Sequence, residues 1–185
     1  MKNDTPTLGY WPIQARGDPC RLLLFYLGVE FKDKMYDFGD ESDQGWANQK
    51  EKLGMVFPNL PYWQHDDIIH SETVPILRSI CRKFGHELLG RNEKEQAYAD
   101  SFVGTIYGGF PGWLGPYMFA PGYAERKEEG LQAAKEYLKT INDCLGEKRF
   151  LAGNEVTYAD FITYWILKIL TMYDSGVLNS FSNLV

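Results

Sequence analysis

LGYWPIQARGDPCRLLLFYLGV, residues 8–29, opens as an apolar strand, breaks between Ile13 and Gly17, and resumes as a helix. Asp18 is placed to cap that helix, Pro19 suits its first position, Arg21 to Leu27 supply a mostly apolar run, and Gly28 is placed to close it. A strand that feeds a helix through a short loop sets Tyr10 and Trp11 outside its carboxyl end, where open α/β sheets receive ligands. The aromatic pair is therefore the first candidate for a site.

Working outward, GVEFKDKMYDF (28–38) alternates like a second, half-buried strand and completes a βαβ unit with a parallel pair. The polar, turn-rich GDESDQGWANQKEKLGMVFPN (39–59) reads as a long excursion with at most a short helical stretch, and loops of that length in compact domains are usually functional. PYWQHDDIIHS (61–71) follows as two short strands about a turn, and a helix runs from about Thr73 to Lys83 with Pro75 tolerated in its first turn.

After a linker at 87–94, the chain turns helical. Leu131, Ala134, Tyr137, Leu138 and Ile141 share one helix face, and Thr157 with Asp160 three positions on predicts a capped helix reaching about Tyr173. One stretch resists: residues 102–125 hold five glycines from Gly104 to Gly115 plus Pro111, Pro116 and Pro121, which predicts a broken helix or a Gly/aromatic loop. The expected division is an α/β domain over 1–86, the linker, and an all-α domain over 95–185.

Composition narrows the function classes. With 185 residues, 44% of them hydrophobic, the chain can bury a sizeable core, and a net charge of −6 without a basic stripe argues against nucleic acid. Cys20, Cys81 and Cys144 form no C-x-x-C pair, and His65, His70 and His86 have no metal-ligand spacing, so no metal is expected. No apolar run is long enough to span a membrane and no signal peptide opens the chain, which makes the cytoplasm the expected location.

LGYW at 8–11, DPCRLLL at 18–24, W-x-x-x-K at 46–50, LGMVFPNLPY at 53–62, Glu72-Thr73 and LAGNEVTYADF at 151–161, in that order, resemble a glutathione transferase of the mu class. The resemblance implies a thioredoxin-like domain followed by a helical domain, with glutathione as substrate and small apolar electrophiles as its partners in a detoxifying conjugation. It makes Tyr10 the catalytic hydrogen-bond donor to the glutathione thiolate. A thiol is only a few per cent ionised at neutral pH, and lowering its pKa by about two takes roughly 2.7 kcal/mol, close to one charge-assisted hydrogen bond. The resemblance assigns Trp11, Trp46 and Lys50 to the glycyl carboxylate, with Asn59 beside them. It assigns Leu60, before a cis Pro61, to the cysteinyl backbone, and Glu72 and Thr73 to the γ-glutamyl end. Phe57 corresponds to an aromatic that inserts into a partner subunit.

The sequence also departs from the family. Asp43 stands where relatives often carry an arginine, Glu72-Thr73 replaces Gln-Ser, residues 103–122 replace a long helix, and the chain stops at Val185 where relatives continue. These differences predict an altered electrophile pocket and a homodimer that is weak or rearranged. They leave a second reading, a non-catalytic structural or adaptor subunit in a homo-oligomer or hetero-assembly. A thioredoxin-type redox role is disfavoured, because WPIQA occupies the place of a C-x-x-C.

Overall fold

The computed structural model describes residues 5–184. The chain forms two compact units, one up to His86 and one from Glu87 onward. The first holds β1 (Thr7–Tyr10), α1 (Asp18–Tyr26), β2 (Lys32–Met35), α2 (Trp46–Gln49), β3 (Tyr62–His65), β4 (Ile68–Ser71) and α3 (Thr73–Phe84). Its sheet runs β2-β1-β3-β4, with β1 parallel to β2 and the other pairs antiparallel. Tyr10 lies opposite Met35 in that register. The outer strand β2 carries Lys32, Asp33 and Lys34, charges of the kind that keep a sheet edge from pairing further. Leu23 and Leu24 of α1 and Ile76, Leu77 and Ile80 of α3 are fully buried where the two helices pack together.

The helix after β1 differs from expectation at its start. Gly17 is the N-cap and Asp18 the first helical residue, its carboxylate meeting Arg21 at 3.2 Å. Its end is as expected. Gly28 is left-handed at φ +64°, its N–H donates to Phe25 and that of Val29 to Leu24, which satisfies two terminal carbonyls. The 39–59 excursion contains only α2 and one 3₁₀ turn, Lys50–Leu53.

The second unit holds α4 (Glu93–Leu114), α5 (Lys127–Leu145) and α6 (Tyr158–Tyr173). Here the break comes later than the glycines suggest: α4 runs through Gly104, Gly108, Gly109, Pro111 and Gly112 and gives way at a wide turn over Gly115–Phe119. Magnitudes explain why. Each helical glycine costs about 1 kcal/mol and Pro111 about 3. Val103, Ile106, Phe110 and Leu114 are each buried, worth roughly 1.5–3 kcal/mol apiece, and Trp113 is buried as well, with its indole N–H on the Gly130 carbonyl at 2.9 Å. Burial against α5 and α6 outweighs propensity. Helix α6 starts on the expected box: Asp160 accepts from the Thr157 N–H at 2.8 Å and its hydroxyl at 3.0 Å, and from the Leu151 N–H at 3.0 Å.

Candidate functional site

The end of β1 and the loop behind it form a seat for one side chain. Tyr10 is 5% exposed and packs in a cluster with Tyr36, Met55, Leu60 and Tyr62, against which Trp11, Ala15, Trp46 and Leu53 also lie. Two glycines make the room. A Cβ on Gly9 would stand 2.0 Å from the Tyr62 ring, and one on Gly17 would stand 2.6 Å from the ring of Tyr10. The loop returns at Arg16, whose backbone N–H donates to the Tyr10 hydroxyl oxygen at 3.1 Å.

That bond uses a lone pair and leaves the phenol its own hydrogen. Burial pushes the Tyr10 pKa above the ordinary 10, although the Arg16 N–H and the Arg16 and Arg21 charges pull it down. Tyr10 is thus a neutral donor at physiological pH. Burial raises Tyr36 and Tyr62 in the same way, and their hydroxyls meet at 3.2 Å.

A second group of residues gathers at the turn before β3. The Leu60–Pro61 bond is cis, and both residues are buried. Asn59 ties this turn to the start of α3: its Oδ1 accepts from the Leu60 N–H at 2.9 Å while its Nδ2 donates to Glu72 Oε1 at 2.8 Å. Glu72 is exposed at φ +78°, a strained conformation for a residue with a side chain and a frequent mark of a functional position. Its N–H donates to the Pro61 carbonyl at 3.2 Å. Thr73, the first residue of α3, is buried with its hydroxyl donating to the Arg16 carbonyl at 2.9 Å. The hydroxyl therefore fastens the loop that seats Tyr10 to the start of α3.

Trp46 opens α2 and stacks on Tyr62 at 6.2 Å and 14° while meeting Tyr36 edge-on, and half-buried Lys50 follows one turn later. Trp11 stacks on Phe38 at 4.6 Å. Phe57 points outward, 79% exposed, on a backbone held by the Ser71 hydroxyl at 2.6 Å from the Phe57 carbonyl. Tyr10, Trp11, Trp46 and Leu60 thus share one packed cluster, and Asn59, Glu72 and Thr73 border it through the links just described.

Sequence reasoning missed Arg21, Tyr36 and Phe38. Phe38 left a visible signal, an aromatic in an otherwise polar stretch. Arg21 left none, because its partner Asp33 is brought to it only by the parallel pairing of β1 and β2. Among the described residues no cluster of three or more His, Cys, Asp or Glu is set to hold a metal, and no helix is long and apolar enough to cross a membrane. A cavity of about 310 Å³ in the helical unit is lined by Tyr98, Phe102, Ile106, Thr140, Cys144 and Lys148, with the Lys148 ammonium on the Leu151 carbonyl at 2.8 Å.

Comparison with known proteins shows the family. Residues 6–82 match the glutathione S-transferase N-terminal domain family and residues 110–185 its C-terminal domain. The chain is 36% identical over 180 residues to a glutathione S-transferase of the mite Tyrophagus putrescentiae, covering 97% of this chain and 81% of that one. It is 36% identical over 181 residues to human glutathione S-transferase Mu 2, covering 96% and 82%. In structure it is similar to the pi-class glutathione S-transferase of Onchocerca volvulus, with a TM-score of 0.85 at 23% identity over 98% of this chain and 84% of that one.

Proposed function

The chain belongs to the glutathione S-transferase family, and from that premise we propose that Tyr10 activates the glutathione thiol for conjugation to small apolar electrophiles. The observation that carries this reading is the Tyr10 hydroxyl, seated at the end of β1 with its oxygen bonded to the Arg16 N–H and its own hydrogen left to donate. A donor fixed at a thiolate sulfur stabilises the charged form, so a larger fraction of bound glutathione is the nucleophile at pH 7. The thiol proton passes to solvent and a carbon–sulfur bond forms. In an addition the electrophile's π electrons take up a proton; in a substitution a leaving group departs with its bonding pair.

The peptide's ends find matching chemistry. Lys50 and the indole N–H groups of Trp11 and Trp46 suit the glycyl carboxylate. The Leu60 carbonyl suits the cysteinyl N–H, its own N–H being held by Asn59, and the first turn of α3 with Thr73 suits the γ-glutamyl carboxylate, with Glu72 facing the ammonium. Asn59 orders this end by holding both Leu60 and Glu72. Asp43 sets an acidic residue near the glycyl end, which weakens affinity. The adaptor reading drew on a rewritten 103–122 helix as well as the early end of the chain, and α4 runs unbroken through most of that segment. The exposed Phe57 and Val56 fit contact with a second copy of the chain, and three free cysteines fit the cytoplasm. The test is calorimetric titration with glutathione followed by an assay with an activated aryl chloride. Binding in the micromolar to millimolar range and conjugate formation are expected; no heat at millimolar glutathione overturns the reading.

A further inference from the structure

We propose that Arg21 is a positioning residue for Tyr10, a clamp that holds the 11–17 loop so that the Arg16 N–H and the Tyr10 hydroxyl stay bonded. The inference rests on the role given to Tyr10 above. Arg21 sits on α1 with its side chain 12% exposed, yet its guanidinium reaches both β2 and the loop after β1, as well as Asp18 of its own helix. Nε and one terminal nitrogen grip Asp33 of β2 at 2.8 and 3.1 Å. The other terminal nitrogen meets Asp18 at 3.2 Å and the Ile13 carbonyl at 3.3 Å, and the Trp11 carbonyl accepts at 3.3 Å. The guanidinium carbon lies 5.8 Å from the centre of the Tyr10 ring.

These contacts form a closed circuit. The backbone leaves Tyr10 at Trp11, is caught by Arg21 at Trp11 and again at Ile13, and comes back to the Tyr10 side chain at Arg16 and Gly17. The two carbonyls flank Pro12, in a loop that the sheet does not reach. Asp33 aims the fork, since a bidentate pair fixes a guanidinium in one plane. A lysine has the charge but a single nitrogen, so it cannot hold Asp33 and two separate carbonyls together. Releasing the loop frees the Arg16 N–H and lets the phenol turn away from its bonded position.

The experiment measures kcat, KM for glutathione and the pH profile of kcat for Arg21→Met and Arg21→Lys, each in the native and the Tyr10→Phe backgrounds. The charged groups facing the phenol are Arg16, Arg21 and Asp18, and Tyr36 and Tyr62 share its cluster. Arg21→Met is expected to lower kcat roughly 10- to 100-fold with KM changed about twofold or less, and to move the profile to higher pH. Arg21→Lys is expected to recover little of the loss. In the Tyr10→Phe background Arg21→Met should have almost no further effect, because the group it positions is gone. An equal loss in both backgrounds, or a raised KM with kcat intact, overturns the proposal. If Arg21→Met does not fold, Asp33→Asn leaves the arginine in place without its aim. A several-fold lower kcat is expected for it, and an unchanged kcat overturns the clamp. A slow Tyr10→Phe beside a fully active Arg21→Met sinks this proposal alone, whereas a fully active Tyr10→Phe removes both readings.

Discussion

Gly17→Ala adds one methyl group beneath the ring of Tyr10. Gly17 has φ −80° and ψ −21°, a conformation open to any residue, so alanine meets no backbone strain there. Its Cβ would stand 2.6 Å from Tyr10 Cδ1 and 2.7 Å from Cγ, against an ordinary contact of at least 3.4 Å. The ring must retreat by roughly 0.8 Å, and a misplacement near 1 Å at a reacting group costs up to about 100-fold in rate. Overpacking of this kind lowers stability by about 1–3 kcal/mol, which leaves an ordinary domain folded. Steady-state conjugation at several pH values, beside a thermal melt, is expected to show kcat reduced about 10- to 100-fold with KM for glutathione nearly unchanged. A folded variant whose kcat lies within twofold of the native protein would refute the reasoning, because the placement of Tyr10 would then not govern the rate.

Gly104, Gly108 and Gly112 of α4 have open space where a Cβ would stand, so changing all three to alanine should raise stability by about 2–3 kcal/mol and the melting temperature by roughly 4–12 °C; a lower Tm would show that α4 needs them. Tyr10, Tyr36 and Tyr62 have folded pKa values raised by burial, so the native state binds protons that the unfolded chain releases near pH 10. The stability from their neutral burial is complete below pH 10 and falls as pH rises above it, which urea unfolding should register as a plateau from pH 8 to about 10 and a decline from there to pH 11; a profile still flat at pH 11 contradicts that burial. Phe57→Ser should weaken self-association, since burying that ring is worth roughly 1.5–3 kcal/mol in each copy, and light scattering that shows the same oligomer for both proteins would exclude Phe57 from the contact.

Elements decided by neighbours in sequence were legible from it. The β1–α1 unit, its closure at Gly28 and the Thr157–Asp160 box all depend on residues within a few positions of one another. Helix α4 was not, because its glycines and Pro111 argue locally against a helix while the stabilising burial of Phe110 and Trp113 comes from α5 and α6. The N-cap was misassigned for a similar reason: Asp18 is drawn to Arg21, which Asp33 holds from another strand. Tyr10 stood out because of the strand and loop around it. The arrangement that makes it a donor, a returning Arg16 amide and the space left by Gly17, exists only once the loop has closed.

The central claim is that the Tyr10 hydroxyl stabilises a bound thiolate, and the most direct test is the pKa of glutathione bound to the native protein and to Tyr10→Phe, followed by the ultraviolet absorbance of the thiolate. One charge-assisted hydrogen bond of about 1.5–3 kcal/mol corresponds to a difference of about 1 to 2 in pKa. The native complex should therefore titrate well below a free thiol, and the Tyr10→Phe complex about 1 to 2 higher, with glutathione affinity nearly preserved. The same pKa in both complexes would contradict the account.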